Sequence, residues 1–398
     1  MLLKIHSDII HNIDQQKITA LVLLDLSAAF DSISQSKLLD ILNCRFNISG
    51  NSLNWFKTYL LNRTRIVSID NSYSSSTKLN YGVPQGSCIG PIAFLAYISA
   101  IQEIVLRHNI TIEAFADDTQ LYLSCNNNPK SLNHTLYQIE QCVSDIRTFF
   151  LTHQLKINDN KTEQLLIGSP IQISKISINE ISIRVGNSTI PVSHDARNLG
   201  VNFDSTLSFK QHFKNVSRKS YFQLTKINQI KKYLPADTIK SLIHSLIFSN
   251  LDYCNALYYN LPQTQLNKLQ KIQNSAARII SGTPKYNHIT PVLKSLHWLP
   301  VKVRIEFKIL ILTFKALYSD SSSPVQDMVS KYNPPRSLRS ANKNKLCTPK
   351  IKNEVGSRSF RHASPTLWNS LPYNIRSISS LPIFKSRLKT YLFCKYFN

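Results

Sequence analysis

The sequence predicts an α+β fold in which helices back an antiparallel sheet. A continuous apolar run at residues 18–26 predicts a strand that is buried on both faces. Two strand-like segments flank Asp117 and Asp118, which predicts a hairpin with an acidic turn. After about residue 215, amphipathic segments separated by prolines predict a separate helical part.

The remaining elements follow from periodicity and from turn residues. Ser34 or Ser36 is a suitable N-cap for a helix that continues through Leu42. The rest of the first half is predicted as a helix at 51–61, a hairpin at 64–82, one long helix from Pro91 to about Leu106, a helix at 129–152 and a strand pair around 158–161. The second half is predicted as helices at 217–232, 236–250, 263–281, 300–318 and 381–394, with an irregular stretch at 320–365. We therefore expect three parts, at residues 1–214, 215–320 and 321–398.

The charge of the chain indicates a polyanionic partner. It has 47 Lys and Arg residues against 23 Asp and Glu residues, a net charge of +24. Such an excess favours nucleic acid through long-range attraction and counterion release. Charge alone leaves solubility, or a basic ribosomal or chromatin-like protein, as alternatives. Hydrophobic residues make up 42% of the chain, which excludes wholesale disorder.

Cysteine usage and hydropathy exclude several other classes. The seven cysteines are widely spaced and form no CxxC pair, so neither a zinc ribbon nor a disulfide framework is expected. Charged residues interrupt the first ten residues, which disfavours a signal peptide. We find no uncharged apolar stretch of about 18 residues and expect no membrane span. The cysteine usage suits a reducing, intracellular location.

Three acids are candidates for catalysis because of their positions. Asp25 follows a buried strand, and Asp117 and Asp118 occupy the turn of a hairpin. Clustered carboxylates in apolar surroundings need cations to offset desolvation and mutual repulsion. Two Mg²⁺ ions about 3.5–4 Å apart can activate a 3′-hydroxyl and stabilise a leaving pyrophosphate. The alternative is that the acid pair is an ordinary solvated turn.

Five motifs in order resemble those of reverse transcriptases from LINE-type (non-LTR, jockey-like) retrotransposons. They are residues 23–31 (Leu-Leu-Asp-Leu-Ser-Ala-Ala-Phe-Asp), 82–87 (Gly-Val-Pro-Gln-Gly-Ser), 115–118 (Phe-Ala-Asp-Asp), 155–163 (Leu-Lys-Ile-Asn-Asp-Asn-Lys-Thr-Glu) and 198–201 (Asn-Leu-Gly-Val). The resemblance covers about residues 1–215. It implies a right-hand polymerase palm with partial fingers, followed by an α-helical thumb and a basic tail. In the tail, residues 367–372 (Leu-Trp-Asn-Ser-Leu-Pro) are the most recognisable piece.

The resemblance also implies the ligands of the metal ions. Asp25 and Asp117 are implied to bind both ions, and Asp118 is the weaker or conditional ligand. The backbone carbonyl of Leu26 could complete a coordination shell. Lys161 is implied to act near the leaving pyrophosphate as a cation or proton donor, with an exposed turn lysine as the equal alternative.

The implied nucleotide site consists of Ala29, Phe30, Gln85 and Gly86. Phe30 matches the aromatic gate that clashes with a 2′-hydroxyl and favours deoxynucleotides, and an ordinary core aromatic is the alternative. Gln85 would contact the incoming nucleotide or the template base, and its neighbouring glycines allow close backbone approach. The alternative is a simple loop between a strand and a helix.

Basic residues after the palm are expected to hold the duplex, with a solvated helix face as the alternative for any single lysine. They are Lys210, Lys214, Arg218, Lys219, Lys226, Lys231 and Lys232, interleaved with Tyr221 and Phe222. Residues 198–200 are implied to grip the primer strand, although a β-turn explains them nearly as well. The basic tail, which includes Arg358 and Arg361, is either an RNA or DNA contact or disordered.

The function implied is RNA-directed DNA synthesis with Mg²⁺, or alternatively Mn²⁺, on an RNA template from a DNA primer and dNTPs. No membrane partner is expected, and the oligomeric state stays open. Only about 24 residues precede Asp25, so we expect that part of the fingers is missing and that the chain is truncated at its N-terminus. The alternatives are a catalytically dead nucleic-acid-binding relic and a group II intron-type maturase. The Leu-Ser-Ala-Ala-Phe-Asp run and the Trp368 segment argue against the maturase.

Overall fold

The computed structural model describes residues 1–84, 86–177, 181–319, 323–333 and 344–397. Internal packing divides the chain into two compact units. The helical unit combines Met1–Lys17, which contains helix α1 (Leu2–Asp14), with Arg197–Asn398. The sheet unit comprises Ile18–Ala196. The three-part division expected from the sequence stays a prediction.

The sheet unit alternates short strands with helices. Its strands are β1 (Lys17–Leu24), β2 (Leu26–Ser27), β3 (Thr64–Arg65), β4 (Ser68–Ile69), β5 (Ser72–Tyr73), β6 (Thr77–Lys78), β7 (Thr111–Phe115), β8 (Asp118–Asn126), β9 (Lys156–Ile157), β10 (Glu163–Ile167), β11 (Ser182–Val185) and β12 (Ser188–Pro191). Its helices are α2 (Gln35–Cys44), α3 (Gly50–Leu60), α4 (Gly90–Ile98), α5 (Ile101–Arg107), α6 (Pro129–Thr152) and α7 (Pro170–Ile173). The mixture of helix and sheet confirms the α+β prediction at this level.

A four-stranded sheet in the order β10-β1-β8-β7 lies at the centre of this unit. Strand β1 pairs antiparallel with β10, with Thr19 opposite Ile167. Strands β7 and β8 form the predicted hairpin, with Phe115 opposite Asp118. Ala20, Leu21 and Val22 are fully buried. The prediction of a strand buried on both faces is therefore confirmed.

The helices that back this sheet begin where the sequence predicts. The Ser34 hydroxyl accepts a hydrogen bond from the Lys37 amide and caps α2. The Asn128 side chain caps α6, whose bounds are those predicted. Ile139, Ile146 and Phe150 of α6 are fully buried in the core of the unit, so α6 supports the strands that hold the acidic residues.

The prediction of one long helix from Pro91 to about Leu106 is wrong. The structure has α4 and α5, because the chain turns at Ser99, whose amide bonds to the Ala96 carbonyl three residues earlier. By length and composition alone, Gly90–Arg107 is long and apolar enough to cross a membrane. Phe94 and Val105 of this segment are nevertheless fully buried in the core of the sheet unit.

The predicted strand pair around residues 158–161 is also wrong. Strand β9 pairs with β2, whereas β10 pairs with β1. A 3₁₀ turn at Asp159–Lys161 separates them. Strands β9 and β10 therefore belong to different ladders next to Asp25 and do not pair with each other as a hairpin.

The helical unit is built largely from helices after the strands β13 (Asp195–Asn198) and β14 (Val201–Asp204). Its further helices are α8 (Lys210–Ile230), α9 (Ala236–Ile243), α10 (Ser249–Asp252), α11 (Gln263–Ser281), α12 (Thr290–Ser295), α13 (Val301–Tyr318), α14 (Phe360–Ser370), α15 (Tyr373–Arg376) and α16 (Leu381–Phe397). A π-helical turn at His244–Phe248 joins α9 to α10. The five helices predicted for this half of the chain are confirmed, since they overlap α8, α9, α11, α13 and α16.

The C-terminal residues contribute to a core. Trp368 is fully buried, and its indole nitrogen donates to the Asn344 carbonyl at 2.9 Å. Phe384 stacks on Phe314 with ring centroids 4.5 Å apart. The described part of the tail from α14 onward is therefore an ordered part of the helical unit, which corrects the alternative of disorder for that stretch.

Helix α1 is tied to this C-terminal region through its buried acid. The Asp14 carboxylate accepts backbone hydrogen bonds from Lys352 at 2.9 Å and from Asn353 at 2.7 Å. Arg361 pairs with Asp8 at 3.0 Å. The Arg358 guanidinium, nearly buried, donates to the Leu207 carbonyl. Arg358 and Arg361, predicted as candidate RNA or DNA contacts, thus have partners within the protein.

Candidate active site

Asp25 lies at the break between β1 and β2, where the backbone passes from one ladder to the next. The Asn158 amide donates to the Asp25 carbonyl at 2.8 Å, which fixes the backbone at this break. Leu26 is buried and opposite Ile157 in the β2–β9 pair. The Asp25 side chain is one-third exposed, so it lies at the boundary between the core and solvent.

Asp117 lies in the turn of the β7–β8 hairpin, and Asp118 follows it at the start of β8. Ala116, which precedes them, has φ of +53°, a left-handed conformation that costs a non-glycine residue roughly 1–2 kcal/mol. Asp118 is the first residue of β8, and β8 is the neighbour of β1 in the sheet. The end of β1 and the acidic turn are therefore brought to the same region of the sheet unit.

The three carboxyl groups interact electrostatically. The pKa of Asp118 is raised, first by partial loss of its solvent shell and then by the negative charges of Asp117 and Asp25. The Oδ2 atom of Asp25 is buried and has no hydrogen-bond partner among the residues the structure describes. An oxygen left in this state is available to a cation.

Lys161 lies beside Asp25. Its Nζ atom is 3.8 Å from Asp25 Oδ2, beyond hydrogen-bond distance, and its side chain is 70% exposed. The 3₁₀ turn that contains it is held by the ion pair of Arg147 with Asp159 at 2.8 Å. The lysine is thus an exposed cation beside Asp25, and its role in catalysis stays a prediction.

No preformed metal site is present within the described ranges, since no three His, Cys, Asp or Glu residues are arranged to hold an ion. The donor set of Asp25, Asp117 and Asp118 is nevertheless the hard oxygen type that Mg²⁺ prefers. The unbonded Asp25 oxygen and the repulsion felt by Asp118 fit a site that a cation would stabilise. That these residues and the Leu26 carbonyl share ions stays a prediction.

The first acidic motif and the 82–87 loop lie against each other. The amides of Gly82 and Val83 donate to the carbonyls of Ile33 and Phe30 at 2.8 and 3.0 Å. Gly82 has φ of +86°, and a Cβ there would approach the carbonyls of Asp31 and Phe30 to 3.0 and 3.1 Å. Only glycine permits this approach without displacement of the turn.

Phe30 and Ala29 lie on the turn that this loop covers. Phe30 is partly buried and packs on Phe94 at 5.0 Å, while Ala29 is buried. Both the gate and the core-aromatic interpretation of Phe30 therefore stay open. Gly86 has φ of +79° with nothing within 4 Å of a Cβ. Gln85 lies outside the described residues.

The helical unit contains a basic cleft next to the 198–200 turn. Tyr253 donates its hydroxyl to the Leu199 carbonyl at 2.7 Å, and Gly200 has φ of +83°. A cavity of about 650 Å³ beside the turn is lined by Arg197, Gly200, Asn202, His212, Asn215, Val216, Lys219, Ser249, Asn250 and Tyr253. Burial lowers the pKa of His212 to about 4, so this imidazole is neutral at pH 7.

Helix α8 and the 3₁₀ turn that follows it at Lys231–Tyr233 present the predicted basic residues to solvent. Lys210, Lys214, Arg218, Lys219, Lys226 and Lys232 are exposed, and Lys231 is partly so. Phe222 is 58% exposed, and the Lys226 ammonium lies 4.8 Å from the centre of its ring. This combination of cations and an exposed aromatic suits phosphate and base contacts.

Comparison with known proteins assigns the family. Residues 3–203, just over half of the chain, match the family model described as "Reverse transcriptase (RNA-dependent DNA polymerase)". The chain belongs to the reverse transcriptase family. Two Drosophila proteins are similar to it: a "Probable RNA-directed DNA polymerase from transposon BS" of D. melanogaster, 22% identical over 306 residues, and an "RNA-directed DNA polymerase from mobile element jockey" of D. funebris, 22% identical over 271.

These alignments cover 75% and 66% of this reverse transcriptase, but only 33% and 28% of the relatives. The chain thus spans about a third of the length of the curated relatives it matches. Among solved structures, apo telomerase from Candida tropicalis aligns over 75% of this chain and 50% of its own, with 13% identity and a TM-score of 0.39. The family match and the two transposon relatives confirm the resemblance to jockey-like reverse transcriptases.

Sequence reasoning missed part of the surroundings of the site. A cavity of about 350 Å³ next to the 82–87 loop is lined by Asp31, Gln35, Arg63, Thr64, Arg65, Leu79, Tyr81, Gly82, Val83 and Pro84. The Tyr59 hydroxyl bonds to Ser87 Oγ at 2.6 Å. The spacing of Trp55 and Tyr59 at an interval of four is a signal that could have placed these two rings on one face of α3.

Proposed function

We propose that this chain carries out RNA-directed DNA synthesis, extending a DNA primer with dNTPs on an RNA template. The observation that carries the proposal is the arrangement of acids in the sheet unit. Asp25 follows β1, the acidic turn precedes the neighbouring β8, and the charges of Asp117 and Asp25 both act on Asp118. Family membership supplies the reaction type.

In this proposal Asp25 and Asp117, with Asp118 as the weaker ligand, hold Mg²⁺, or alternatively Mn²⁺. When bound, the divalent cations supply charge neutralisation and an orienting centre for phosphate oxygens. The primer 3′-hydroxyl gives its proton to solvent as its oxygen forms a bond to the α-phosphorus of the dNTP, and the bond from that phosphorus to the pyrophosphate oxygen breaks. The buried Asp25 Oδ2 atom supports this assignment, because it accepts no hydrogen bond from the described residues and Lys161 Nζ stands 3.8 Å away from it.

Lys161 is proposed to neutralise or protonate the leaving pyrophosphate. Its exposed ammonium stands 3.8 Å from Asp25, so it can turn to a phosphate without breaking a hydrogen bond. Ala29 and Phe30 are proposed to line the sugar pocket, with Gln85 and Gly86 near the base. The docking of Gly82 and Val83 onto the Phe30 turn supports a shared nucleotide pocket.

The helical unit is proposed to contact the template–primer backbone as a thumb does, with the sheet unit as the palm. The exposed lysines of α8 and the cleft that contains Arg197 and Lys219 support this assignment, because both offer cations to phosphates. Residues 198–200 would hold the primer strand at this cleft. A nuclear or cytoplasmic location, where such an enzyme meets its template, belongs to the same proposal.

Primer extension tests the proposal. The full chain is incubated with poly(rA)/oligo(dT), dTTP and Mg²⁺, beside Asp117→Asn and the control Asp40→Asn, which changes an exposed acid on α2. We expect extension with the unaltered chain and the control, and none with Asp117→Asn. Extension by Asp117→Asn at the unaltered rate removes this carboxylate from the mechanism.

A catalytically inactive nucleic-acid-binding relic is the second candidate. It is favoured by the absence of a formed three-ligand metal site in the described part of the chain and by a lysine that already faces Asp25. Salt-dependent RNA binding without dNTP incorporation, in a chain shown to be folded, selects this candidate.

A further inference from the structure

Helix α3 exposes an aromatic surface that the catalytic proposal does not use. Leu60 is its one buried residue, and Leu53 and Phe56 are only partly buried against the core. Trp55 is 50% exposed, whereas the other two tryptophans, Trp298 and Trp368, are 3% and 0% exposed. A half-exposed indole on a helix with so little buried surface is a candidate contact for a ligand.

The exposed indole belongs to an ordered stack. Trp55 and Tyr59 have ring centroids 5.5 Å apart and planes only 5° from parallel. Arg63 extends the stack, with its guanidinium carbon 5.0 Å from the Tyr59 ring centre. We call Trp55, Tyr59 and Arg63 the stacking ladder. Tyr59 is partly buried, whereas Trp55 and Arg63 at the two ends of the ladder are exposed, and exposed flat groups are what bases stack on.

The stacking ladder is held in place before any ligand binds. Tyr59 bonds to Ser87 Oγ at 2.6 Å, and that hydroxyl also bonds to the Pro84 carbonyl at 2.8 Å. The Arg63 Nε atom donates to the Tyr59 carbonyl at 2.5 Å. Because these groups are already ordered, a base that stacks on Trp55 loses less entropy than one that must order a flexible surface.

The surroundings of the ladder are basic. Residues 50–84 contain Lys57, Arg63, Arg65 and Lys78 but only one acid, Asp70. Arg63 and Arg65 also line the 350 Å³ cavity that continues to the 82–87 loop. A strand that stacks on the ladder therefore finds cations for its phosphates on the way to the loop. Asp31 also lines this cavity, where the two arginines outnumber it.

We propose that the stacking ladder binds an unpaired stretch of the RNA template beside the 82–87 loop. The choice of RNA rests on the proposed function, in which the template is the strand that is unpaired before it is copied. The ladder itself recognises base planes and phosphates without sequence preference. Trp55 stacks on a base, Arg63 combines stacking with charge, and Arg65 binds a phosphate in the adjoining cavity.

Trp55 fluorescence tests this proposal directly, because its indole is the accessible one of three. The full chain is titrated with oligo(rU) without Mg²⁺, primer or dNTP, beside Trp55→Ala, Trp55→Phe and the control Tyr137→Ala, which removes a 58% exposed aromatic from α6. We expect quenching of Trp55 emission in the unaltered chain and the control. Trp55→Ala is expected to weaken binding about tenfold, measured by anisotropy of labelled RNA.

The conservative variants separate stacking from charge and from folding. Trp55→Phe keeps a stacking ring, so its affinity for RNA is expected to be within about threefold of that of the unaltered chain. Arg63→Lys keeps the charge but lacks the planar group, so it is expected to lose affinity. The proposal is overturned if RNA binds without quenching, or if Trp55→Ala binds as tightly as Tyr137→Ala. Binding limited to oligo(dT), or to double-stranded RNA, also overturns it.

The outcome is independent of catalysis. Asp117→Asn is titrated in the same assay, and the same quenching is expected because the change lies outside the ladder. Quenching without primer extension leaves the ladder in place and contradicts the proposed function alone. Primer extension without quenching contradicts the ladder alone.

Discussion

Replacement of the buried His6 by leucine is expected to reduce the acid sensitivity of the helical unit. His6 is fully buried on α1, its ring centre 5.9 Å from that of Phe209. Neither ring nitrogen has a hydrogen-bond partner within the described part of the chain. Burial, and then the positive charge of Arg358, lower the pKa of His6 from 6.5 to about 3.

The sign of the effect follows from proton binding. Between pH 6.5 and 3 the unfolded chain binds a proton at His6 that the folded chain does not, so the free energy of unfolding falls as the pH is lowered. The contribution of the neutral His6 to the free energy of unfolding is fully present above pH 6.5. At 1.36 kcal/mol per unit, the loss from His6 between pH 7 and pH 5 is about 2 kcal/mol. His212, with its pKa lowered to about 4, adds a loss in the same direction in both proteins.

Urea unfolding at pH 7 and pH 5 measures this loss. In a Trp55→Phe background, the fluorescence of Trp298 and Trp368 reports the helical unit, where both are buried. We expect His6→Leu to lose about 2 kcal/mol less than the parent between the two pH values. His11→Gln, a change at an exposed residue of the same helix, is expected to leave the parent's loss unchanged. An equal loss in the parent and in His6→Leu refutes the reasoning.

Two further predictions concern the sheet unit. The Cβ of Gly82→Ala would approach two backbone carbonyls, whereas Gly86→Ala adds only the cost of the left-handed conformation. Gly82→Ala is therefore expected to destabilise the sheet unit by about 1 kcal/mol or more beyond Gly86→Ala. Equal melting temperatures for the two variants contradict the close packing of the loop. Lys161→Met is expected to lower the rate of dTTP incorporation about 100-fold with little change in template–primer affinity, measured by single-turnover extension. The control is Lys175→Met at another exposed lysine, and a rate for Lys161→Met equal to that of this control argues that the lysine is a solvated turn residue.

Local signals predicted much of the sheet unit. The Ser34 cap, the span of α6 and the acidic turn between β7 and β8 all follow from residues that are close in sequence. The position of Asp25 at the end of a buried strand needed only the apolar run before it. These features are fixed by capping, by periodicity and by turn chemistry, which act over a few residues.

Distant contacts were beyond the same reasoning. Asp14 bonds to backbone amides more than three hundred residues away, so no local pattern assigns α1 to the helical unit. The pairing of β9 with β2, instead of β10, depends on which ladder the backbone meets at Asp25. Within residues 90–107, the largely apolar sequence gives no local signal for the turn at Ser99 that separates α4 from α5.

Whether Asp25 and Asp117 share divalent cations is tested most directly by Fe²⁺-directed cleavage of the polypeptide. Fe²⁺ replaces Mg²⁺ in carboxylate sites, and with ascorbate and peroxide it cuts the polypeptide near its ligands. If the two residues share ions, we expect cuts close to residue 25 and close to residues 117–118. We expect the cuts at both places to disappear in Asp117→Asn. Cuts near residues 117–118 alone, or cuts near residue 25 that persist in that variant, would contradict the sharing of ions.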